Sequence, residues 1–149
     1  MPAKYRPGKI VCVGRNYREH AKELGNEVPK EPLIFLKPPS SVVWNGEAIV
    51  LPKESTKVEH EGEIGVVVGQ TLTRVSESRA ARGIRAIIAV NDVTARDLQK
   101  TDGQWTRAKG FDTFCPLGEE SSKLPDLDSL TVVTRVNGVE RQRGKSSEM

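Results

Sequence analysis

Hydrophobic residues occur along most of the chain in short runs rich in β-branched side chains, bounded by glycine, proline or charged residues. Runs of this kind are typical of β-strands, and an Asn-Gly pair between two of them indicates a tight hairpin turn. We therefore predict strands in KIVCV, PLIFLKPPSSVV (interrupted at Pro-Pro), EAIVLP (after the turn WNGE), EGEIGVVVG, IRAIIAVND and the two halves of LTVVTRVNGVERQ.

Helical patterns are fewer and shorter. In RNYREHAKELGN, Asn16 is a suitable N-cap and Gly25 a suitable stop, and SESRAARG begins with the potential cap Ser76. TARDLQK is predicted to form one helical turn, and the glycine-rich stretch GQWTRAKGFDTFCPLG a long loop. The order of elements favours one strand-rich α+β domain over residues 1–149 rather than alternating βαβ units.

The stretch VEHEGEIGVVVG, residues 58–69, combines an apolar strand pattern with two acids. Alternation along a strand places Glu61 and Glu63 on one face, and Ile64, Val66 and Val68 on the other. Neighbouring carboxylates repel and raise each other's pKa, and a divalent cation removes that repulsion because Mg²⁺, Mn²⁺ and Ca²⁺ prefer oxygen ligands. The alternative is a solvated strand face beside Lys57.

Three further residues are candidates for a functional site: one as a cation ligand and two as a pair that activates water. Asp92 follows the apolar run AIIAV and is either the cap of the next turn or a third oxygen ligand for a cation. His20 and Glu23 are three positions apart on the first predicted helix and therefore neighbours on its surface. The histidine is either a packed or surface residue, or a base that the glutamate orients toward water.

The composition and charge of the chain argue against nucleic acid and membrane as binding partners. The 149 residues include 23 Lys and Arg against 20 Asp and Glu, and no basic block is interleaved with aromatic residues, so nucleic-acid binding is not supported. The sequence has no apolar stretch of membrane-spanning length, and MPAKYRPGKI lacks a secretory apolar region, so a cytoplasmic protein is expected. Cys12 and Cys115 are expected to be buried free thiols.

Several motifs in a fixed order carry a resemblance to a known family. The segments CVGRNYREHAKELG, FLKPPSSVV, VEHEGEIGVVVG, VNDVTARDLQ, WTRAKGFDTFCPLG and VNGVERQ resemble the fumarylacetoacetate hydrolase family, from about residue 9 onward. Within that family the sequence is most similar to acylpyruvate hydrolases and related oxaloacetate-handling enzymes. The resemblance implies a mixed β-roll fold and a homodimer.

The resemblance also implies roles for the candidate residues. It implies that one Mg²⁺ or Mn²⁺ binds to Glu61, Glu63 and Asp92. The pair implied to activate water is His20 and Glu23, and the lysine implied to contact the substrate near the metal is Lys109. Two further side chains, Arg15 and Gln99, are implied to lie near the substrate pocket.

The activity implied is metal-dependent hydrolysis of a carbon-carbon bond in a small 3-acylpyruvate or related diketo acid. Decarboxylation, tautomerisation or isomerisation of an oxo acid such as oxaloacetate at the same site is the alternative. Family members continue past the segment matching RVNGVERQRGKSSEM, through further strands and a TGTPxG motif that this sequence lacks. The β-roll is therefore expected to be incomplete at its carboxyl end, and a non-catalytic cation-binding module is a third possibility.

Overall fold

The strands of the computed structural model, which describes residues 7–17 and 29–149, form one four-stranded mixed sheet and three two-stranded sheets. The strands are β1 (Ile10–Gly14), β2 (Leu33–Lys37), β3 (Val42–Trp44), β4 (Val58–Glu59), β5 (Gly62–Val68), β6 (Ile84–Asn91), β7 (Thr94–Ala95), β8 (Cys115–Leu117), β9 (Thr131–Val136) and β10 (Val139–Lys145). Three short helices are present in the same residues: α1 (Glu77–Ala81), α2 (Arg96–Thr101) and α3 (Thr106–Gly110). The strand-rich α+β class predicted from the sequence is confirmed.

The four-stranded sheet has the order β3-β8-β6-β5, with a parallel β3-β8 pair and antiparallel pairs elsewhere. Its buried face carries small and branched apolar side chains that form the main core cluster, namely Val67, Ala86, Ile88, Cys115 and Leu117. A second cluster consists of Val93, Ala95 and Phe114, with Phe111 packed against it. Burial of these apolar surfaces is the main favourable contribution to folding.

The register of β5 against β6 determines where the candidate acids lie. Gly62 pairs with Asn91 in this antiparallel ladder, so the residue before β5 lies beside the residue after β6. The backbone N–H of Glu61 donates to Asn91 Oδ1 at 3.0 Å, and that of Asp92 donates to the Glu61 carbonyl at 2.8 Å. Glu61 and Asp92, which are distant in sequence, are thereby fixed as neighbours.

The carboxyl-terminal hairpin β9-β10 clamps β5 at the same point. The Gln142 side chain accepts from the backbone N–H of Gly62 and donates to its carbonyl, both at 2.8 Å. A Cβ atom at Gly62 would lie 2.0 Å from Thr134 Oγ1, so a residue larger than glycine cannot occupy this position without displacing the Thr134 side chain. The hairpin turns at Asn137 and Gly138, both with positive φ, as the Asn-Gly pair predicts.

Two predictions about secondary structure are wrong. EAIVLP is not a strand: Ile49, Val50 and Leu51 are exposed, and the Val50 N–H donates to Thr113 Oγ1 at 2.8 Å instead of joining a ladder. The predicted long loop of residues 103–118 contains α3 and β8. Gly103 precedes α3, Gly110 ends it and Gly118 follows β8, so no glycine interrupts either element.

Two other elements differ in detail. The segment 32–43 forms two strands, β2 and β3, because the Pro-Pro pair leads into a 3₁₀ turn at Pro39–Ser41. β5 begins at Gly62, so Glu61 precedes the strand instead of lying within it. The face that carries Glu63 and Val67 is nevertheless the inner one, since Val67 is buried whereas Val66 and Val68 are exposed. The amino-terminal predicted helix falls mostly on residues 18–28, outside the described residues.

One face of the two-stranded β1-β2 sheet is apolar and exposed. Val11 pairs with Leu36 and Val13 with Ile34, and each of these four side chains is 45% to 57% exposed.

Among the residues that the structure describes, no helix has the length and apolar character needed to cross a membrane. The homodimer implied by the resemblance stays a prediction, which sedimentation over a range of protein concentrations tests.

Asp97 connects the loop before β4 to helix α2, and its removal is expected to weaken this connection. Its carboxylate accepts from Ser55 Oγ at 2.6 Å and from the Thr56 N–H at 2.8 Å, and these bonds lower its pKa to about 2. A lowered pKa stabilises the fold above the ordinary value of 3.8, and this contribution is lost as the pH falls through about 2.

We therefore expect Asp97→Asn to lower the Tm at pH 7, and the difference from the parent protein to shrink between about pH 4 and pH 2. Thermal unfolding followed by circular dichroism over this pH range measures both effects. Asp112→Asn, at an exposed position, is the matched control. A difference in Tm that is independent of pH would show that the carboxylate charge of Asp97 is not the stabilising feature.

Candidate active site

Three of the predicted site residues meet at one buried point. Lys109 Nζ lies 2.8 Å from Glu61 Oε2 and 2.5 Å from Asp92 Oδ2, and it also donates to Thr94 Oγ1 at 2.9 Å. Lys109 is 2% exposed and Asp92 is 7% exposed, so the charges of this cluster are largely removed from water. Buried charges are tolerated where each is paired and hydrogen-bonded, and both conditions are met here.

Helix α3 places Lys109 at this point. The Lys109 N–H donates to the Trp105 carbonyl at 3.0 Å, which begins the helix, and the ammonium group lies 5.0 Å from the centre of the Phe35 ring. Phe35 in turn contacts Trp105 edge to face, with ring centres 5.4 Å apart. The aromatic pair packs β2 against α3 and holds the lysine in a favourable cation-π position.

Two cations that the sequence analysis did not identify hold the same carboxylates from the other side. Lys37, which is 1% exposed, places Nζ 2.6 Å from Asp92 Oδ1. Arg96 places Nη1 2.6 Å from Glu61 Oε1. Neither residue has a local signal in the sequence: Lys37 ends the uniformly apolar run LIFLK, and Arg96 lies in the predicted helical turn TARDLQK.

Glu63 is the third carboxylate of the cluster. Burial, followed by the charges of Glu61 and Asp92, raises the pKa of Glu63 to about 8, although Lys109 and Tyr17 act in the opposite direction. In the described part of the chain it has no ion pair, in contrast to Glu61 and Asp92. Glu63 is therefore the acid whose ionised form is least compensated.

Tyr17 lies close enough to Glu63 for each residue to influence the pKa of the other. Burial, followed by the negative charge of Glu63, raises the pKa of the phenol, so it is protonated at neutral pH. Its hydroxyl is buried without a well-formed hydrogen bond among the described residues, although its proximity to Glu63 influences the pKa of both groups. The Tyr17 ring packs on Gly144, where a Cβ atom would approach it to 2.8 Å.

Gln99 and Arg15, the two residues predicted to lie near the substrate, occupy different settings. Gln99 is partly buried on α2, and its side-chain oxygen accepts from Arg96 Nη1 at 3.0 Å. This bond assigns the amide orientation and leaves the nitrogen available as a donor. Arg15 is exposed and has a φ of 55°, directly after Gly14, which packs on the Trp105 ring. A positive φ is uncommon outside glycine and is often found at binding sites.

The remaining candidates fall into two groups. His20 and Glu23 lie outside the described residues, and their roles stay predictions. Cys12 and Cys115 are free thiols, as the sequence predicts; Cys115 is fully buried and Cys12 partly so. Burial is the main cause that raises their pKa, to about 12 for Cys12 and about 11 for Cys115. Neither thiol is therefore a ready nucleophile or metal ligand.

The oxygen donors of the cluster are of the chemical type that a hard divalent cation binds. Among the described residues, no three acidic, histidine or cysteine side chains are spaced to hold an ion as they stand, and the Lys109 ammonium bridges two of the acids instead. Carboxylate oxygens are nevertheless the ligands that Mg²⁺ and Mn²⁺ prefer. The raised pKa of Glu63 reflects first its burial and then the negative charges of Glu61 and Asp92, which a cation would compensate.

The sequence matches a known family model over most of its length. The model described as "Fumarylacetoacetate (FAA) hydrolase C-terminal" matches residues 9–149. A mitochondrial oxaloacetate tautomerase of Arabidopsis thaliana is 49% identical over 150 residues, covering 95% of this chain and 66% of the relative. A mitochondrial oxaloacetate decarboxylase of Dictyostelium discoideum is 40% identical over 148 residues, covering 95% of this chain and 68% of the relative.

A solved structure extends the similarity to the fold. The crystal structure named 5-carboxymethyl-2-hydroxymuconate delta-isomerase, from Mycobacterium smegmatis, superposes with a TM-score of 0.86 at 44% identity, covering 95% of this chain and 57% of that chain. The chain spans 50% to 68% of the length of eight of the curated relatives that it matches.

Proposed function

Because the chain belongs to the fumarylacetoacetate hydrolase family, we propose that it binds one Mg²⁺ or Mn²⁺ and promotes enol or enolate chemistry on a small oxo acid. The proposed ligands are Glu61, Glu63 and Asp92. The observation that carries the proposal is the buried convergence of Glu61 and Asp92 on Lys109, with Glu63 beside them at a raised pKa. Clusters of this kind are typical of functional sites.

Oxaloacetate is the substrate that we favour, and keto-enol tautomerisation or decarboxylation the reaction. Relatives named for these two activities share 40% to 49% identity with the chain, and a structural neighbour is named for an isomerase. These names support the alternative of the sequence analysis better than its main expectation, acylpyruvate hydrolysis. Tautomerisation and decarboxylation of oxaloacetate both pass through an enolate or enol, so one site serves both reactions.

The bound cation would supply Lewis-acid stabilisation of negative charge on the oxo oxygen. Lys109 contributes a positive charge in a water-poor environment, where its attraction for a developing oxyanion is stronger than in water. Gln99, whose oxygen is committed to Arg96, can donate its amide N–H groups to a substrate carboxylate. His20, oriented by Glu23, is the proposed carrier of the proton that moves to or from carbon.

Parallel assays on the parent chain test this function. Loss of the ultraviolet absorbance of enol oxaloacetate measures tautomerisation, pyruvate formation measures decarboxylation, and loss of acetylpyruvate measures hydrolysis. We expect Mg²⁺ to accelerate one of the two oxaloacetate reactions, and a chelator to abolish that acceleration. Hydrolysis of acetylpyruvate alone would favour the main sequence expectation. Mg²⁺ binding without any turnover would favour a non-catalytic cation-binding module.

Lys109→Met provides a test of the relation between lysine and cation. The Lys109 ammonium occupies one oxygen of Glu61 and one of Asp92, so a divalent cation that uses these oxygens must replace both contacts. We therefore expect Lys109→Met to raise the affinity for Mn²⁺ in calorimetry while turnover is lost. Lys100→Met, an exposed position on α2, is the control. A lower affinity in Lys109→Met would indicate that the lysine supports the cation site instead of competing for it.

A further inference from the structure

The two oxygens of Glu61 and of Asp92 have different partners. In each carboxylate one oxygen, called here the inner oxygen, contacts Lys109: Oε2 of Glu61 and Oδ2 of Asp92. The other, called the outer oxygen, contacts a second cation: Glu61 Oε1 is paired with Arg96, and Asp92 Oδ1 with Lys37. Both carboxylates are thus divided in the same way, although Lys37 and Arg96 come from different elements.

Lys37 is firmly held at Asp92 Oδ1, the outer oxygen of that carboxylate. The residue is 1% exposed, and Nζ makes a second contact with the Val93 carbonyl at 3.3 Å. A buried ammonium group without these partners would be strongly unfavourable, so it cannot easily swing toward solvent. The geometry leaves Asp92 Oδ1 committed to Lys37 whatever occupies the space at Oδ2.

Arg96 is held by several acceptors at once. Its Nε donates to Glu59 Oε2 at 2.8 Å, and its Nη1 contacts both Glu61 Oε1 at 2.6 Å and Gln99 Oε1 at 3.0 Å. The planar guanidinium group presents its donors in a fixed fork, so three acceptors define its orientation. Glu61 Oε1 is consequently committed to Arg96 in the way that Asp92 Oδ1 is committed to Lys37.

We propose that Lys37 and Arg96 are positioning residues that reserve the outer oxygens, so that Asp92 and Glu61 each offer a single oxygen to the divalent cation. This inference rests on the cation site of the proposed function. Mg²⁺ takes six ligands and normally keeps several waters, and each carboxylate that binds through both oxygens removes one more of these positions. Restricting two acids to one oxygen each keeps coordination positions free for the two oxygens of an oxo acid.

A purely electrostatic role for Lys37 and Arg96 predicts a different outcome. If the two residues only offset negative charge, then removing either should tighten cation binding but leave the number of waters on the cation unchanged. If they reserve the outer oxygens, then removing either releases one carboxylate oxygen, which displaces a water. The water number therefore separates positioning from simple charge compensation.

The experiment uses the parent chain and the variants Lys37→Met, Arg96→Lys and Lys100→Met loaded with Mn²⁺. Water-proton relaxation and electron paramagnetic resonance give the number of exchangeable waters on the bound ion. We expect Lys37→Met and Arg96→Lys each to lose about one water relative to the parent, and to bind oxalate on the Mn²⁺ form more weakly. Lys100→Met, which changes an exposed residue, is expected to match the parent.

Arg96→Lys keeps the positive charge but not the fork, so it isolates geometry from charge and remains informative if Lys37→Met fails to fold. An unchanged water number in a folded variant, with Mn²⁺ still bound, would overturn the positioning role and leave the cation site standing. Failure of the parent chain to bind Mn²⁺ would overturn the proposed cation site, and the positioning role with it.

Discussion

Glu63→Gln is expected to weaken Mn²⁺ binding by at least about 100-fold, because changes to the partners of metal ligands already cost 10-fold to 100-fold. The substitution replaces a ligand that is anionic when it binds a cation by a neutral amide. Without metal, burial and the neighbouring acids raise the pKa of Glu63 to about 8, so its carboxyl is largely protonated at neutral pH and a neutral amide should not weaken the fold. Titration calorimetry measures the affinity, and thermal unfolding without metal measures the stability.

The control for this prediction is Glu77→Gln, which removes an equal charge from the exposed helix α1. An affinity close to that of the parent in Glu63→Gln would place the cation elsewhere. A large loss of affinity together with a large loss of stability would indicate a structural role for Glu63, which the unfavourable surroundings of its ionised carboxylate argue against.

Replacing His20 by alanine is expected to reduce turnover by about 10²-fold to 10⁴-fold, the usual effect of losing a general acid-base residue. The proton carrier is separate from the three carboxylates in the proposed mechanism, so Mn²⁺ affinity should stay unchanged. Glu23→Gln should have a smaller effect, because Glu23 only orients the ring. Steady-state rates for the parent chain and both variants, measured with the substrate identified in the parallel assays, provide the comparison.

His60→Ala removes the other histidine of the chain and is the matched control, since the site proposed here does not use its imidazole. Turnover by His20→Ala at the parental rate would show that His20 and Glu23 do not carry out the proton transfer. Proton transfer would then have to be assigned to another group near the cluster, with Lys109 the first to test.

The elements predicted correctly have strong local signals. The alternation in β5, the apolar run of β6 and the Asn-Gly turn between β9 and β10 each contain enough information within about ten residues. EAIVLP has the same apolar pattern, but whether a strand forms depends on a pairing partner, and Val50 finds the side chain of Thr113 instead. The helix around Lys109 is flanked by glycines, which favour a loop in the sequence-based prediction. The helix is supported by packing of Trp105 against Phe35, which the sequence pattern does not indicate.

The candidate acids were visible in the sequence because they lie at the ends of apolar strands. Their partners were not visible, because Lys37 and Asp92 are 55 positions apart and meet only through the arrangement of β2 against the end of β6. Arg96 illustrates the same limit: its sequence neighbours suggest a surface helix, whereas its guanidinium reaches Glu59, Glu61 and Gln99. Sequence patterns indicate which residues carry chemistry, and tertiary packing determines what each of them contacts.

Anomalous X-ray scattering from crystals of the parent chain grown with Mn²⁺ tests most directly whether the three acids bind a cation. We expect one strong anomalous peak bounded by Glu61, Glu63 and Asp92, with oxygen ligands at about 2.0–2.6 Å, the range for hard divalent cations. A structure at the same Mn²⁺ concentration in which Lys109 still bridges Glu61 and Asp92, and in which no peak lies beside the three acids, would contradict this expectation.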